Sequence, residues 1–538
     1  LRRFSPKAWN QRYRERIEDH FKVSVNRLRI PEINFRIPHR WHQFLIYTAR
    51  DIRSKLENRQ YILITLLEAP LLALVIGYFT KYFSGTEANP EQYVFFANDN
   101  LVPYLFMAVI VALFLGMIVS AEEIIKDVLI LKRESFLHLS RLSYIGSKVM
   151  IVFIISAFQM LTFVLIGNHM LEIKGMTFKF WLLLFSGACT ANLMGLNISS
   201  ALKSIASIYI IIPLILVPQI LFSGTVVSFD KLRSLSKHSK HVPLIGELMP
   251  SRWMFEGLMV EQFKNNRFQR QFFEQDRIIS ATNFKTTFLI PRLITLLDES
   301  QSLLEQGKNI EKSAGNLAVI RNEIEKLSEE TGKYPGNWQW NLNPRNFSSE
   351  INQKVKAYLM TVGRQYERLS QEANASKDRT FYALEKRLGG REALLNFQNA
   401  HTNQSIATLL LNRNELIKIQ QIDDHLVQRM DPIYMVSDSW WGRSHMFAPA
   451  KPLGPYEIDT FWFNLTVIWI MTIMAFLVLY YDWLRKGMNA FEAFRLRRLD
   501  KIVKTTQATL VPRSNSLRRS NKDRSIRNER SEGSENVH

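Results

Sequence analysis

The stretch YLFMAVIVALFLGMIVSA, residues 104–121, contains no charged side chain and no polar stripe, so a helix built from it has no face to turn toward water. It is long enough to cross most of the roughly 30 Å hydrocarbon core of a bilayer. Its unbroken apolarity argues against the competing reading, a buried core helix of a large soluble protein. Working outward, apolar runs of this kind recur at 61–79, 101–120, 145–167, 178–202, 205–222 and 461–484. Aromatic residues gather near their ends, among them Tyr78, Phe79, Tyr104, Trp181, Trp462, Tyr480, Tyr481 and Trp483, as at membrane interfaces. The composition agrees: 47% of residues are hydrophobic and the formal charge is +20, yet mean hydropathy is −0.09, so apolar and charged residues are segregated along the chain. The fold expected is an all-α membrane protein with six transmembrane helices.

Basic residues give the orientation. Lys and Arg crowd residues 1–60 and the stretch after 485, and the linkers at 126–148 and around Lys203 are basic too. The run SGTEANPEQYVFFANDN (84–100) has neither Lys nor Arg. The positive-inside rule then predicts both termini in the cytoplasm of a multi-pass protein of a plasma or inner membrane. The basic tails fit anionic lipid rather than nucleic acid, and LRRSNKDRSIRNERSEGSENVH reads as disordered. Because the chain starts at Leu1 without a signal peptide, a longer parent polypeptide is expected.

The boundaries that follow are a cytoplasmic basic linker (1–43), five spans with lead-in and coupling helices (44–224), an extracytoplasmic helical domain (225–458), a sixth span (459–486) and a basic tail, mostly disordered (487–538). Within the large insertion, Leu296, Leu303, Ile310, Leu317 and Ile324 recur every seven residues, with Ile320 and Leu327 in second positions. That predicts a long coiled-coil-like helix. Further helices are expected at 350–372 and 405–430, separated by the loop TGKYPGNWQWNLNPRNFSS. The domain reads either as an elongated helical body without chemistry or as a docking surface for an envelope partner.

Catalytic signatures are absent from the sequence. QGKNIEKS lacks the spacing of a phosphate loop, and no HExxH, paired-His metal pattern or GxSxG elbow occurs. His238 and His241 could meet a metal, but a solvated loop is the better reading. The lone Cys189 lies in an apolar run and excludes an internal disulfide. No catalytic residue, metal or cofactor is therefore assigned to the chain itself. Glu68, beside Pro70, reads as interfacial or as a helix contact. Gln159, Asn192 and Asn197 read as hydrogen bonds between helices. Pro213 and Pro218 remove two backbone donors from one span and should bend it, a useful property in a gate.

Three segments in order, AEEIIKDVLILKRESFLHLSRLSYIGSKV, PLILVPQILFSGTVV and LMPSRWMFEGLMVEQF, resemble successive signatures of the membrane domain of G-subfamily (White-type) ATP-binding-cassette exporters. RDIRSKLENRQYILITLLEAPLLALVIGYF resembles the amphipathic lead-in and first span of that family. The likeness covers roughly residues 44–263 and the last span.

The resemblance implies that the charged linker forms a cytoplasmic helix pressing on a nucleotide-binding domain, with Glu122, Glu123, Lys126, Lys132, Arg133 and Glu134 transmitting motion. A short amphipathic helix there would bury Ile124, Val128 and Leu131; lying on lipid is the other reading. The resemblance also implies a cavity and gate at Phe114, Met117, Pro213, Pro218, Phe222, Thr225 and Val226, and a family motif at Arg252, Trp253 and Glu256. ATP and Mg would bind a nucleotide-binding domain, upstream in the same polypeptide or separate. Pairing as a homodimer and contact with membrane lipids follow. Two functions remain in view: the permease of an ATP-driven exporter with a lipid or amphiphile as cargo, and a membrane-anchored scaffold or mechanotransmitter whose external domain engages envelope partners.

Overall fold

The computed structural model describes residues 5–18, 38–83, 93–134, 140–227, 229, 242–437 and 439–510. His238, His241 and the tail beyond 510 lie outside the described residues. The first short helix, α1 (Pro6–Tyr13), is capped by Ser5. An amphipathic helix, α2 (Arg40–Glu57), buries Gln43, Tyr47 and Thr48. It breaks at Asn58, whose side chain accepts from Tyr61 N and starts the next helix.

Among the described residues five helices are long and apolar enough to cross a membrane: α3 (Arg59–Thr80), α4 (Leu101–Ala121), α6 (Arg141–Met170), α7 (Thr177–Ala201) and α17 (Thr460–Tyr480). Between α4 and α6 lies the short α5 (Val128–Glu134). The fifth apolar segment in chain order, α8 (Ile205–Leu221), has 17 residues, about 26 Å at 1.5 Å per residue, so it is shorter than the others. By contrast α6 starts at Arg141, capped by Ser140, and its 30 residues reach beyond the apolar run read from the sequence. The last span ends sooner than expected, at Tyr480. Helix α18 (Trp483–Leu510) follows it, built from good helix formers where the sequence reading had placed mostly disordered tail.

The centre of the membrane part is α7, packed on α4, α6 and α17. Glycines set the closest approach. A Cβ on Gly116 would stand 2.6 Å from Ala188 O and 2.9 Å from Ala191 Cβ; one on Gly195 would stand 2.6 Å from Met117 O. Backbone atoms cannot swing aside, so Gly116→Ala is expected to lower stability by about 1–3 kcal/mol. Thermal melting of the detergent-solubilised protein checks this, and an unchanged melting temperature would show that α4 and α7 are not held this tightly. Buried polar side chains tie the helices together as expected. Gln159 Nε2 donates to Thr65 O (3.0 Å), Asn192 Nδ2 to Ser156 Oγ (2.8 Å) and Asn197 Nδ2 to Ala475 O (2.9 Å). Glu68 is half-buried on α3.

After α8 come the short α9 (Leu244–Glu247) and α10 (Pro250–Lys264), which packs on α17. The chain then enters α11 (Phe273–Phe284), which runs through a π turn at Lys285–Leu289 into α12 (Ile290–Glu305). The single long heptad helix expected here is two helices. Gly307 (φ 63) and Asn309 (φ 51) adopt left-handed backbone, and the chain reverses into α13 (Ile310–Thr331). Leu296, Leu317, Ile320, Ile324 and Leu327 are buried, but Leu303 is only half-buried and Ile310 is 58% exposed, because the seven-residue spacing runs across the turn. These two helices and α14 (Ser349–Leu388), which is longer than predicted, share a second hydrophobic core.

Next come α15 (Arg391–Asn399) and α16 (Gln404–Leu411). The helix expected over 405–430 ends at left-handed Asn412 (φ 46). The hairpin β1 (Ile419–Ile422) and β2 (His425–Gln428) replaces its remainder, turning at Asp423 (φ 50). Asp tolerates that conformation better than bulky residues do. A second hairpin, β3 (Ala450–Leu453) with β4 (Tyr456–Asp459), turns at Gly454 (φ 61) and leads into α17. The described residues are thus mostly helical, with two small antiparallel hairpins that the all-α reading lacked.

Candidate functional site

The linker after α4 is a bound turn before it is a helix. Residues 122–127 form turns, and Ser199 Oγ on α7 accepts from both Ile124 N (3.1 Å) and Ile125 N (3.0 Å). Glu123 Oε2 then meets Lys55 Nζ (2.7 Å) from α2 and Lys148 Nζ (3.1 Å) from α6. Lys148 also pairs with Asp51 (2.7 Å) and Asp127 (3.0 Å), while Lys55 pairs with Asp51 (2.7 Å). Tyr144 Oη donates to Asp127 (3.1 Å). Three carboxylates thus share two ammonium groups, all at low exposure. Burial works to raise the Asp51 carboxyl, but Lys148 and Lys55 outweigh it and hold it below the ordinary carboxylate value.

Of the linker residues singled out from the sequence, Glu123 lies in this cluster. Glu134 accepts from Arg50 Nη1 (2.9 Å), and Glu122 pairs with Lys126 and accepts from Tyr209 Oη (2.6 Å) of α8. Lys126, Lys132 and Arg133 are exposed. Ile124 is buried and Leu131 half-buried as expected, but Val128 is 45% exposed, and Leu129 and Ile130 share the outer face with it. The helix begins only at Val128, so the side chains of the preceding turn do not follow its periodicity. Asp51, Lys55, Asp127 and Lys148 were missed. The available signal was a lysine just inside an apolar helix, which needs an anionic partner.

The segment around α8 has a different character. Pro213 and Pro218 both lie inside the helix and deny hydrogen bonds to the carbonyls one turn earlier. Pro213 is exposed with Ile210, Leu214 and Val217, whereas Pro218, Phe222 and Thr225 are half-buried and Val226 is 60% exposed. Phe114 on α4 is half-buried. Met117, expected to line a cavity, is instead buried against α7, where the Gly195 contact leaves no open space. Ser251 Oγ donates to Gln219 O (2.6 Å), joining α8 to the start of α10.

On α10, Arg252, Trp253 and Glu256 come together with Lys451 of β3, a residue the sequence reading did not single out. Lys451 Nζ meets Glu256 Oε2 at 2.6 Å and Arg252 Nη2 meets it at 3.5 Å. Asn464 Nδ2 donates to the same oxygen (3.0 Å), and Phe447 N donates to Oε1 (3.1 Å). Arg252 stacks over the Trp253 ring at 4.0 Å and Lys451 at 4.3 Å. Burial, then the Arg252 charge, push the Lys451 ammonium down to about 7. Burial opposes ionisation of Glu256, yet Arg252 and Lys451 hold its carboxyl below the ordinary value. This cluster clamps the β3–β4 hairpin and the head of α17 onto α10, and its burial suits a structural role.

Residues 42–263 match the family model of the ABC-2 type transporters. Over 125 residues the chain is 30% identical to ABC transporter G family member STR of Medicago truncatula, a match covering 23% of this chain and 15% of that relative's length. With five apolar helices of spanning length among the described residues, the chain is a multi-pass integral membrane protein with a region similar to the ABC-2 type transporters.

Proposed function

We propose that the chain is the permease part of an ATP-driven exporter. A nucleotide-binding domain, in the same polypeptide or on a separate subunit, binds ATP and Mg and works this membrane part as a homodimer. The observation that carries the reading is the match of 42–263 to a transporter family, over the same residues whose linker is ion-paired to the lead-in helix. In this arrangement α8 is the fifth of six spans and α17 the sixth. Both termini are cytoplasmic and 225–458 forms an extracytoplasmic insertion, in keeping with the basic ends of the chain.

The exposed Leu129, Ile130, Lys132 and Arg133 of α5 present an apolar and cationic face to the nucleotide-binding domain. A push there reaches α2 through Glu134 and Arg50, and α6 through Glu123 and Lys148. The proline-interrupted α8 is the element that yields, shifting inward-open toward outward-open populations. Lipids or amphiphiles suit the apolar surfaces around it.

The separate core of α12, α13 and α14 favours one further reading, a scaffold in which ATP-driven motion works the insertion on an envelope partner. ATPase measurements in lipid nanodiscs separate the two, using protein from its native host with copurifying chains identified by mass spectrometry. Hydrolysis stimulated by lipid or amphiphile, and reduced several-fold by Glu134→Ala, is the exporter's signature. Absence of any associated ATPase would sink that reading, and hydrolysis indifferent to amphiphiles favours the scaffold.

A further inference from the structure

The chain enters α17 through a surface of exposed rings. Trp440 is 63% exposed, Trp441 78%, Leu453 47% and Tyr456 74%, and Trp462 in the first turn of α17 is 50% exposed. Side chains of this size lose most of their surface in a packed protein, and exposed apolar groups gathered side by side mark a contact surface.

Backbone contacts hold the group together. Gly454 N donates to Trp440 O (3.0 Å), and Trp441 bridges antiparallel to Leu453, which pairs with Tyr456 across the β3–β4 turn. Gly442 (φ 72) lies on the Phe463 ring of α17, so close that a Cβ there would collide with it. Strand β4 runs into α17 with no residue between them, at the Asp459 cap. Lys451, wholly buried on Glu256, pins β3 to α10. The rings therefore keep their place at the end of a helix of membrane-spanning length.

Charge narrows the partner. Arg443 and Lys451, the Arg and Lys of residues 439–459, are paired with Glu247 and Glu256, so neither is left to call for an anionic lipid. Trp and Tyr carry a polar N–H or O–H on an apolar ring and favour the boundary between hydrocarbon and water.

We propose that Trp440, Trp441, Leu453 and Tyr456 form an interfacial pad that seats the segment before α17 in the head-group layer of the membrane, on zwitterionic lipid. The pad continues the exposed Trp462 of α17 beyond the span itself, and it fixes the end of the insertion against the bilayer. It requires α17 to cross the membrane and is independent of the exporter reading.

The test places an NBD fluorophore on Tyr456→Cys in otherwise intact Cys189→Ala protein, in phosphatidylcholine nanodiscs. Phosphatidylcholine bearing a head-group nitroxide should quench it several-fold more strongly than it quenches an NBD–glutathione conjugate mixed with the same nanodiscs, and aqueous iodide should quench it weakly. Combining Trp440→Ser with Trp441→Ser should lower the lipid quenching several-fold. Labelled variants are compared only where their melting temperature matches the Cys189→Ala parent. A second label at Trp441→Cys, with Tyr456 retained, repeats the measurement from the other part of the pad.

Strong iodide quenching at both positions, with lipid quenching no greater than that of the conjugate, would place the rings in water. Protection from both quenchers would place a second copy of the chain or another protein over them. Either result overturns the pad. Lipid quenching unchanged by the double serine change would show that α17 alone sets the depth, and would overturn the role of the two tryptophans. Quenching that appears only after phosphatidylglycerol is added would overturn the zwitterionic preference.

Discussion

Glu256→Gln is expected to be among the most damaging single substitutions in the chain. The carboxylate is fully buried and is contacted by both Lys451 and Arg252. Removing one member of a buried ion pair while leaving its counter-charge costs about 3–5 kcal/mol, and here two cations are left. Arg252 already has Nε and Nη1 buried without hydrogen-bond partners, so it cannot compensate elsewhere. Lys451→Met should cost much less, because Arg252 and Asn464 still serve Glu256. The double variant should recover part of the loss.

The pH dependence has a definite sign. Burial holds the Lys451 ammonium down to about 7 in the folded parent and Glu256→Gln removes a carboxylate that raises it, whereas the unfolded lysine holds its proton to about 10.4. The unfolded state therefore binds more protons across that interval, and the variant's stability rises with pH. Melting curves at several pH values should show the widest gap from the parent at the acid end. A Glu256→Gln protein no less stable than Lys451→Met would refute the charge balance described for this cluster.

Lys148→Met is the second large effect. This ammonium is 6% exposed and contacts Asp51, Glu123 and Asp127; without it Lys55 still meets Asp51 and Glu123, while Asp127 keeps the Tyr144 hydroxyl. The expected cost is again about 3–5 kcal/mol, set by the uncompensated charge rather than by lost packing. It should be felt where α2 and the 122–127 turn meet α6. Faster amide hydrogen exchange in α2 and residues 122–127 would report it, together with a lower melting temperature. Adding Glu123→Gln restores charge balance and should restore part of both. If Lys148→Met leaves exchange unchanged, the cluster does not hold these elements together. If exchange rises but stimulated ATPase survives, the coupling route proposed through Glu123 is wrong.

Much of the linker reading depended on interactions between distant residues. Glu123 was recognised as significant, but its partners lie 68 residues before it and 25 after it, on helices whose contact no local pattern encodes. Glu256 stands with Arg252 and Trp253 in the motif that the resemblance implies, while its partner Lys451 lies in KPLG, 195 residues away. In the insertion the heptad rule failed at the peptide Gln306–Asn309 for a local reason. Gly307 and Asn309 can adopt positive φ at small cost, and reversal lets Leu296, Leu317 and Ile324 bury against one another instead of along one seam. Met117 misled because every side of α4 is apolar, so hydropathy cannot say which side faces α7.

By itself the sequence determined the membrane class, the position of the spanning helices and the interhelical role of Gln159, Asn192 and Asn197. The transfer of apolar residues from water is additive along a contiguous segment, and a polar side chain inside such a segment must find a partner. Only the tertiary structure decided which charges share a cluster, where the insertion folds back, and that Gly442 lies on the Phe463 ring of α17. Those features depend on distances between residues far apart in the chain, where a change of one or two ångströms separates a salt bridge from an unpaired charge and a packed contact from an open one.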